Sequence, residues 1–129
     1  MDPATKAIAL LVAALTAVGI VHGAAHVMIG AIPPPADLAY IATVVFAAPV
    51  ASVLLRPRGS RRPADYVLLA SMIGSLAYGV GNHYPNAGPD SAWAAPPGAW
   101  GSIFQATAAL LVAVEILGVA MALIVLGRD

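Results

Sequence analysis

AIALLVAALTAVGIVHGAAHVMIGAI, residues 7–32, contains two histidines and no charged side chain. As a helix it would be about 39 Å long at 1.5 Å per residue, enough to cross a bilayer with some tilt. The apolar core of a signal peptide is usually only about 7–15 residues, so a retained membrane span is the better reading. His22 and His26 stand four residues apart and therefore share one helix face, with Gly19, Gly23 and Gly30 close to it. Such a face is expected to meet protein rather than lipid, because buried imidazoles need partners and glycines admit close neighbours.

Three further apolar runs follow, at about residues 38–55, 66–82 and 102–126. Pro33-Pro34-Pro35, the Arg56–Pro63 turn and the Pro- and Trp-bearing stretch 84–101 separate them. Each proline withholds an N–H and restrains the residue before it, so helices stop there. Pro49 lies inside the second run and predicts a kink. Of the 129 residues, 60% are hydrophobic and 9% charged, and the mean hydropathy is +0.88. Soluble domains carry about a quarter charged residues. The expected fold is an all-α membrane protein: one domain over residues 1–129, a four-helix transmembrane bundle with a long outer loop between helices three and four.

Charge sets the expected orientation. Lys6, Arg56, Arg58, Arg61, Arg62 and Arg128 all fall on the side of the termini and the second turn. Positive residues favour the cytoplasm, so a multi-pass protein of the cell membrane with both termini cytoplasmic is expected. Tyr84, Trp93 and Trp100 then suit the outer interfacial belt, where the 84–101 loop lies along the surface or forms a dynamic tail. The net charge of zero and six scattered basic residues leave no nucleic-acid footprint. With no cysteine, disulfides, thiolate ligands and cysteine catalysis are excluded. At 13.0 kDa the chain has little room for a large substrate cavity. A homo-oligomer or a place in a larger membrane complex is expected, with the lipid bilayer as the other partner.

The polar residues inside the spans carry the chemistry. His26 and His83 fall about one turn or less from the outer interface, His22 about one turn deeper, and Glu115 near mid-membrane. Ser71, Ser75, Gly79 and His83 form a small polar stripe on helix three. The simplest pairing sets it against the histidine face of helix one. On helix four, Gly101, Ala108, Glu115 and Ala122 recur every seven residues, with Gly118 adjacent, and mark its inward face.

Imidazoles at i, i+4 can ligate one ion, and a third from another helix completes a set of three. His22, His26 and His83 are therefore candidate metal ligands, for Zn, Cu(II) or Fe rather than thiolate-loving Cu(I). His26 and His83, at similar depth on different helices, also suit the two axial positions of haem b. Asn82, Asp90, Tyr78 and Ser75 are candidate supporting groups, and Glu115 is a candidate proton carrier or inner polar partner. Positions 23–25 are Gly, Ala and Ala, so the His-Glu-x-x-His pattern of zinc proteases is missing. No catalytic residue is assigned, and the isolated chain is not expected to be an enzyme. The leading functional expectation is metal handling or electron transfer. The alternatives are a non-catalytic accessory subunit and a proton-coupled small-molecule transporter using Glu115.

In length and span count the chain resembles the small multidrug-resistance transporters. That family places its membrane glutamate in the first helix, whereas here Glu115 lies in the fourth, so the resemblance covers architecture and no residue roles. With no lysine in any span, a retinal Schiff base is ruled out.

Overall fold

A computed structural model describes residues 1–85 and 88–128. Four helices are long and apolar enough to cross a membrane: α1 Pro3–Ile29, α2 Pro35–Arg58, α3 Arg61–His83 and α4 Ala99–Leu126. At 23 to 28 residues each, they run about 35–42 Å. No strand occurs among the described residues. α1, α2 and α3 begin before the expected apolar runs, in first turns that carry Lys6, Asp37 and Arg61 with Arg62, and α1 ends at Ile29 rather than residue 32. Asp2 caps α1 by accepting from the Thr5 N–H at 2.9 Å and the Thr5 hydroxyl at 2.8 Å. Leu10, Ile20, Leu117 and Leu123 stand more than half exposed on the outer surface, where lipid would cover them.

α4 is the spine. It packs closely along both α1 and α3. Of the α3 stripe expected to meet α1, His83 does reach His22 and His26, whereas Ser75 turns to Glu115 of α4. The close packing rests on the small-residue face of α4: Gly101, Ala108, Glu115, Gly118 and Ala122 are all buried. A Cβ at Gly118 would sit 2.5 Å from Met72 Sδ, so any larger residue there would make the Met72 side chain shift. Ile8, Val12 and Leu15 of α1, Leu68 and Met72 of α3, and Ala122 and Val125 of α4 form the apolar core.

α2 leans on α3 and touches α1 sparsely. Its middle, Ile41–Ala47, is π-helical, and the Ala48 N–H reaches Thr43 O. Pro49 follows directly and has no N–H to give. In a regular α-helix its ring would strike the carbonyl of Val45. The wider π turn at this point accommodates the proline without breaking the helix.

The end opposite the histidines is tied by charge. Arg56 was expected in an exposed basic turn, but it is buried and its Nη1 donates to the fully buried Asp65 carboxylate. Its Nε also donates to Thr5 Oγ1 at 3.2 Å, so α1, α2 and α3 meet at one guanidinium. Arg61 lies 3.7 Å from the Asp2 carboxylate. The Thr5 backbone and hydroxyl donors hold Asp2 down to about 2, from near 4. Ionised Asp2 is the capping form, so its contribution is present above pH ~4 and is lost as pH falls toward 2.

Asp65→Ala strands a buried guanidinium and is expected to destabilise the bundle by about 3–5 kcal/mol. The double change Arg56→Met with Asp65→Leu should cost clearly less. Unfolding in mixed detergent micelles measures both, and an equal loss for the single and double variants would refute the pairing.

Candidate metal centre

The three histidines come from two helices and meet over a phenylalanine. His22 and His26 project from the last two turns of α1, and His83 is the final residue of α3. All three are buried. One ring nitrogen from each lies within 4.8 Å of the others. Phe104, fully buried on α4, touches all three imidazoles, with ring centroids at 4.9, 4.8 and 5.3 Å from His22, His26 and His83. The small residues of α4 let this ring pack against histidines of both α1 and α3.

Each Nδ1 is engaged with an oxygen. His26 Nδ1 donates to Ala31 O at 2.7 Å. That carbonyl is delivered by Gly30, whose φ of 76° ends α1 in a left-handed turn. The turn is locked by the Ala31 N–H, which reaches back to His26 O at 2.9 Å. His83 Nδ1 donates to Asp90 O at 2.7 Å. A carbonyl can only accept, so both rings are Nδ1–H tautomers with a bare Nε2. His22 Nδ1 lies 2.8 Å from Thr107 Oγ1. The Thr107 proton can go to Ile103 O at 2.7 Å, which leaves its oxygen free to accept from His22. All three Nε2 atoms are then bare. In the other His22 tautomer, with its proton on Nε2, the same hydroxyl donates to a bare His22 Nδ1.

The Nε2 atoms of His22 and His83 stand 3.2 Å apart. Two bare nitrogens so close repel unless an electrophile lies between them. A proton on His22 Nε2 serves. So does a metal ion, since two nitrogens bound tetrahedrally at 2.0–2.1 Å are about 3.3 Å apart. No hydrogen bond is made by His26 Nε2 among the described residues.

The loop that closes this end is docked rather than extended. Ser91 and Ala92 are buried, and Gln105 Nε2 donates to Ala92 O at 2.8 Å. Trp93, 75% exposed, projects outward while its Nε1 donates to Tyr84 O. Asp90 contributes its carbonyl to His83, and its carboxylate lies 3.7 Å from His26 Nδ1.

The other candidate residues divide. Asn82 Nδ2 bonds Tyr78 O on its own helix and makes no hydrogen bond to the trio. Tyr78 donates to Asp37 at 2.9 Å and stacks on Tyr40. Ser75 donates to Glu115 Oε1, two turns below the histidines. Phe104, Thr107 and the Ala31 carbonyl were not expected from the sequence. Thr107 lies one helical turn C-terminal of Phe104 on α4, and only the position of α4 between its neighbours gives them their roles. The Gly30 C-cap is the one local signal that could have pointed to Ala31.

Comparisons with protein-family models, curated proteins and solved structures find no match to this chain. The geometry therefore carries the functional argument.

Long-range proton–nitrogen correlation spectra of the protein in micelles should show His26 and His83 as Nδ1–H tautomers. Finding either ring with its proton on Nε2 would break the hydrogen-bond pattern just described.

Proposed function

We propose that this chain is a multi-pass membrane protein that binds one transition-metal ion through His22, His26 and His83, for metal handling or electron transfer. The observation that carries the reading is the 3.2 Å approach of two Nε2 atoms whose rings are held by oxygens at Nδ1. Oxygen acceptors at the outer nitrogen fix the tautomer, orient the ring and raise its basicity as a ligand. Neutral imidazoles without thiolates suit Zn, Cu(II) or Fe(II). Three protein ligands leave a further coordination position for water or substrate.

A single ion is favoured over haem b by the packing. Axial histidines face one another across a porphyrin plate, whereas His26 and His83 rest on the same Phe104 ring, with centroids 5.4 Å apart. Orientation is argued from charge. Lys6, Arg58, Arg61, Arg62 and Arg128 lie at the end away from the histidines. With that end cytoplasmic, the site sits at the outer face of the membrane.

Purified protein in detergent should take up one Co(II) or Zn(II) per chain, with ligand-field bands for Co(II) of a nitrogen-rich site. His22→Ala, His26→Ala and His83→Ala should each weaken binding at least tenfold, and Asn82→Ala should leave it unchanged. Absence of stoichiometric metal by titration and elemental analysis rejects the proposal. A Soret band in the same preparation would put haem in place of the ion.

A further inference from the structure

A cavity of about 310 Å³ runs between the four helices from the histidines down to Glu115. The size is at the small end of ligand pockets, which span about 300–1,000 Å³. Its walls are almost wholly apolar, with Val45, Leu111 and Val112 among them. Its rim is made by Val27, Ile32 and Leu38, all exposed, near the histidine end of α1 and α2. Those two helices touch only sparsely. The mouth therefore faces the medium that covers the apolar outer surface, which is lipid. A molecule arriving there must be soluble in the bilayer.

The deep end holds a carboxyl group without a complete set of partners. Glu115 is 3% exposed. Ser75 donates to Oε1, while Oε2 has no hydrogen-bond partner. Among the described residues Glu115 has no cationic partner either. An unpaired carboxyl in an apolar wall is costly unless something satisfies it. Space beside it is kept open by Gly79: a Cβ there would meet only Glu115 Oε2, at 3.9 Å. From Thr107, which touches His22, to Glu115 is eight residues of α4, or about 12 Å along the helix. Glu115 is thus too far from the histidines to share their ion.

We infer that this cavity binds a lipid-soluble amine, with Glu115 as the counter-charge to its ammonium head and the apolar walls around its tail. The head supplies Oε2 with the donor it lacks, and the charge pair is formed where no other cation competes. Shape and length favour a slender alkyl or aryl-alkyl chain. The inference stands apart from the ion site, since its charged contact is made below the histidines.

The test uses the full chain in nanodiscs of zwitterionic lipid and a dansyl-labelled alkylamine. Saturable binding is expected at about one probe per chain. Glu115→Gln keeps the shape but removes the charge, and should weaken binding at least tenfold. Gly79→Leu keeps the carboxyl but fills the space beside it, and should abolish binding. An alkanol of matching length should compete at least tenfold less well than the unlabelled amine. Metal stoichiometry on the histidines should be unchanged in both variants, which also reports that they fold. Equal probe affinity in Glu115→Gln, equal competition by alkanol and amine, or no saturable binding to the wild type would each overturn the inference.

Discussion

An imidazole inside an apolar bundle must spend its N–H on an oxygen, and the choice of oxygen decides where its lone pair points. Here the oxygens lie on the outer side of the ring cluster: the Ala31 carbonyl, the Asp90 carbonyl and the Thr107 hydroxyl. Each comes from a different kind of structure, respectively a helix C-cap, a docked loop and a neighbouring helix. All three leave Nε2 directed inward once the Thr107 proton goes to Ile103 O. The left-handed turn at Gly30 and the packing of Gln105 against the loop matter for this reason. They fix acceptors, and the acceptors fix the ligand set.

The rest of the bundle follows from α4. Its small-residue face lets α1 and α3 approach from two sides, and Phe104 on that face becomes the surface on which the histidines converge. Polar groups then divide by depth. The trio occupies one end, the Arg56–Asp65–Thr5 cluster the other, and Glu115 with Ser75 lies between. The guanidinium cluster ties α2 to α1 and α3 at its own end. Near the histidine end α2 is held by aromatic stacking of Tyr40 on Tyr78 and by the Tyr78–Asp37 bond. Between these two attachments the Phe46 ring of α2 reaches Gly19 of α1, and both residues line the cavity.

Four long apolar helices were legible from runs of uncharged residues, because a span leaves a composition signal that no loop imitates. The inward face of α4 was legible from its seven-residue recurrence of Gly, Ala and Glu. The His22–His26 pair was legible from its spacing, and His83 from its depth. Neighbour relations were not. Nothing in a stripe of small residues says which stripe it meets, so Ser75 was expected to face α1 where it meets Glu115 of α4. Arg56 counted as a loop charge because Asp65, nine residues later, pairs with it only after the chain has turned back. Phe104 and Thr107 carry no motif at all, and a backbone carbonyl such as that of Ala31 leaves none in any sequence.

A purely structural clasp and an ion site make different use of six ring nitrogens. A clasp between helices would place each imidazole with one nitrogen donating and the other accepting, so that lipid-embedded polar groups are all satisfied. Three Nδ1 atoms here do find oxygens. The three Nε2 atoms find chiefly one another. A single proton on His22 can bridge to His83, which still leaves His26 Nε2 without a hydrogen-bond partner among the described residues. A cation between the rings answers all three lone pairs at once. The Thr107 hydroxyl suits either His22 tautomer, since it can donate to Ile103 O while accepting from His22 Nδ1, or donate to a bare His22 Nδ1. On the proposed reading an ion would take the place between the rings that a shared proton holds otherwise, with the carbonyls at the outer nitrogens of His26 and His83 left where they are.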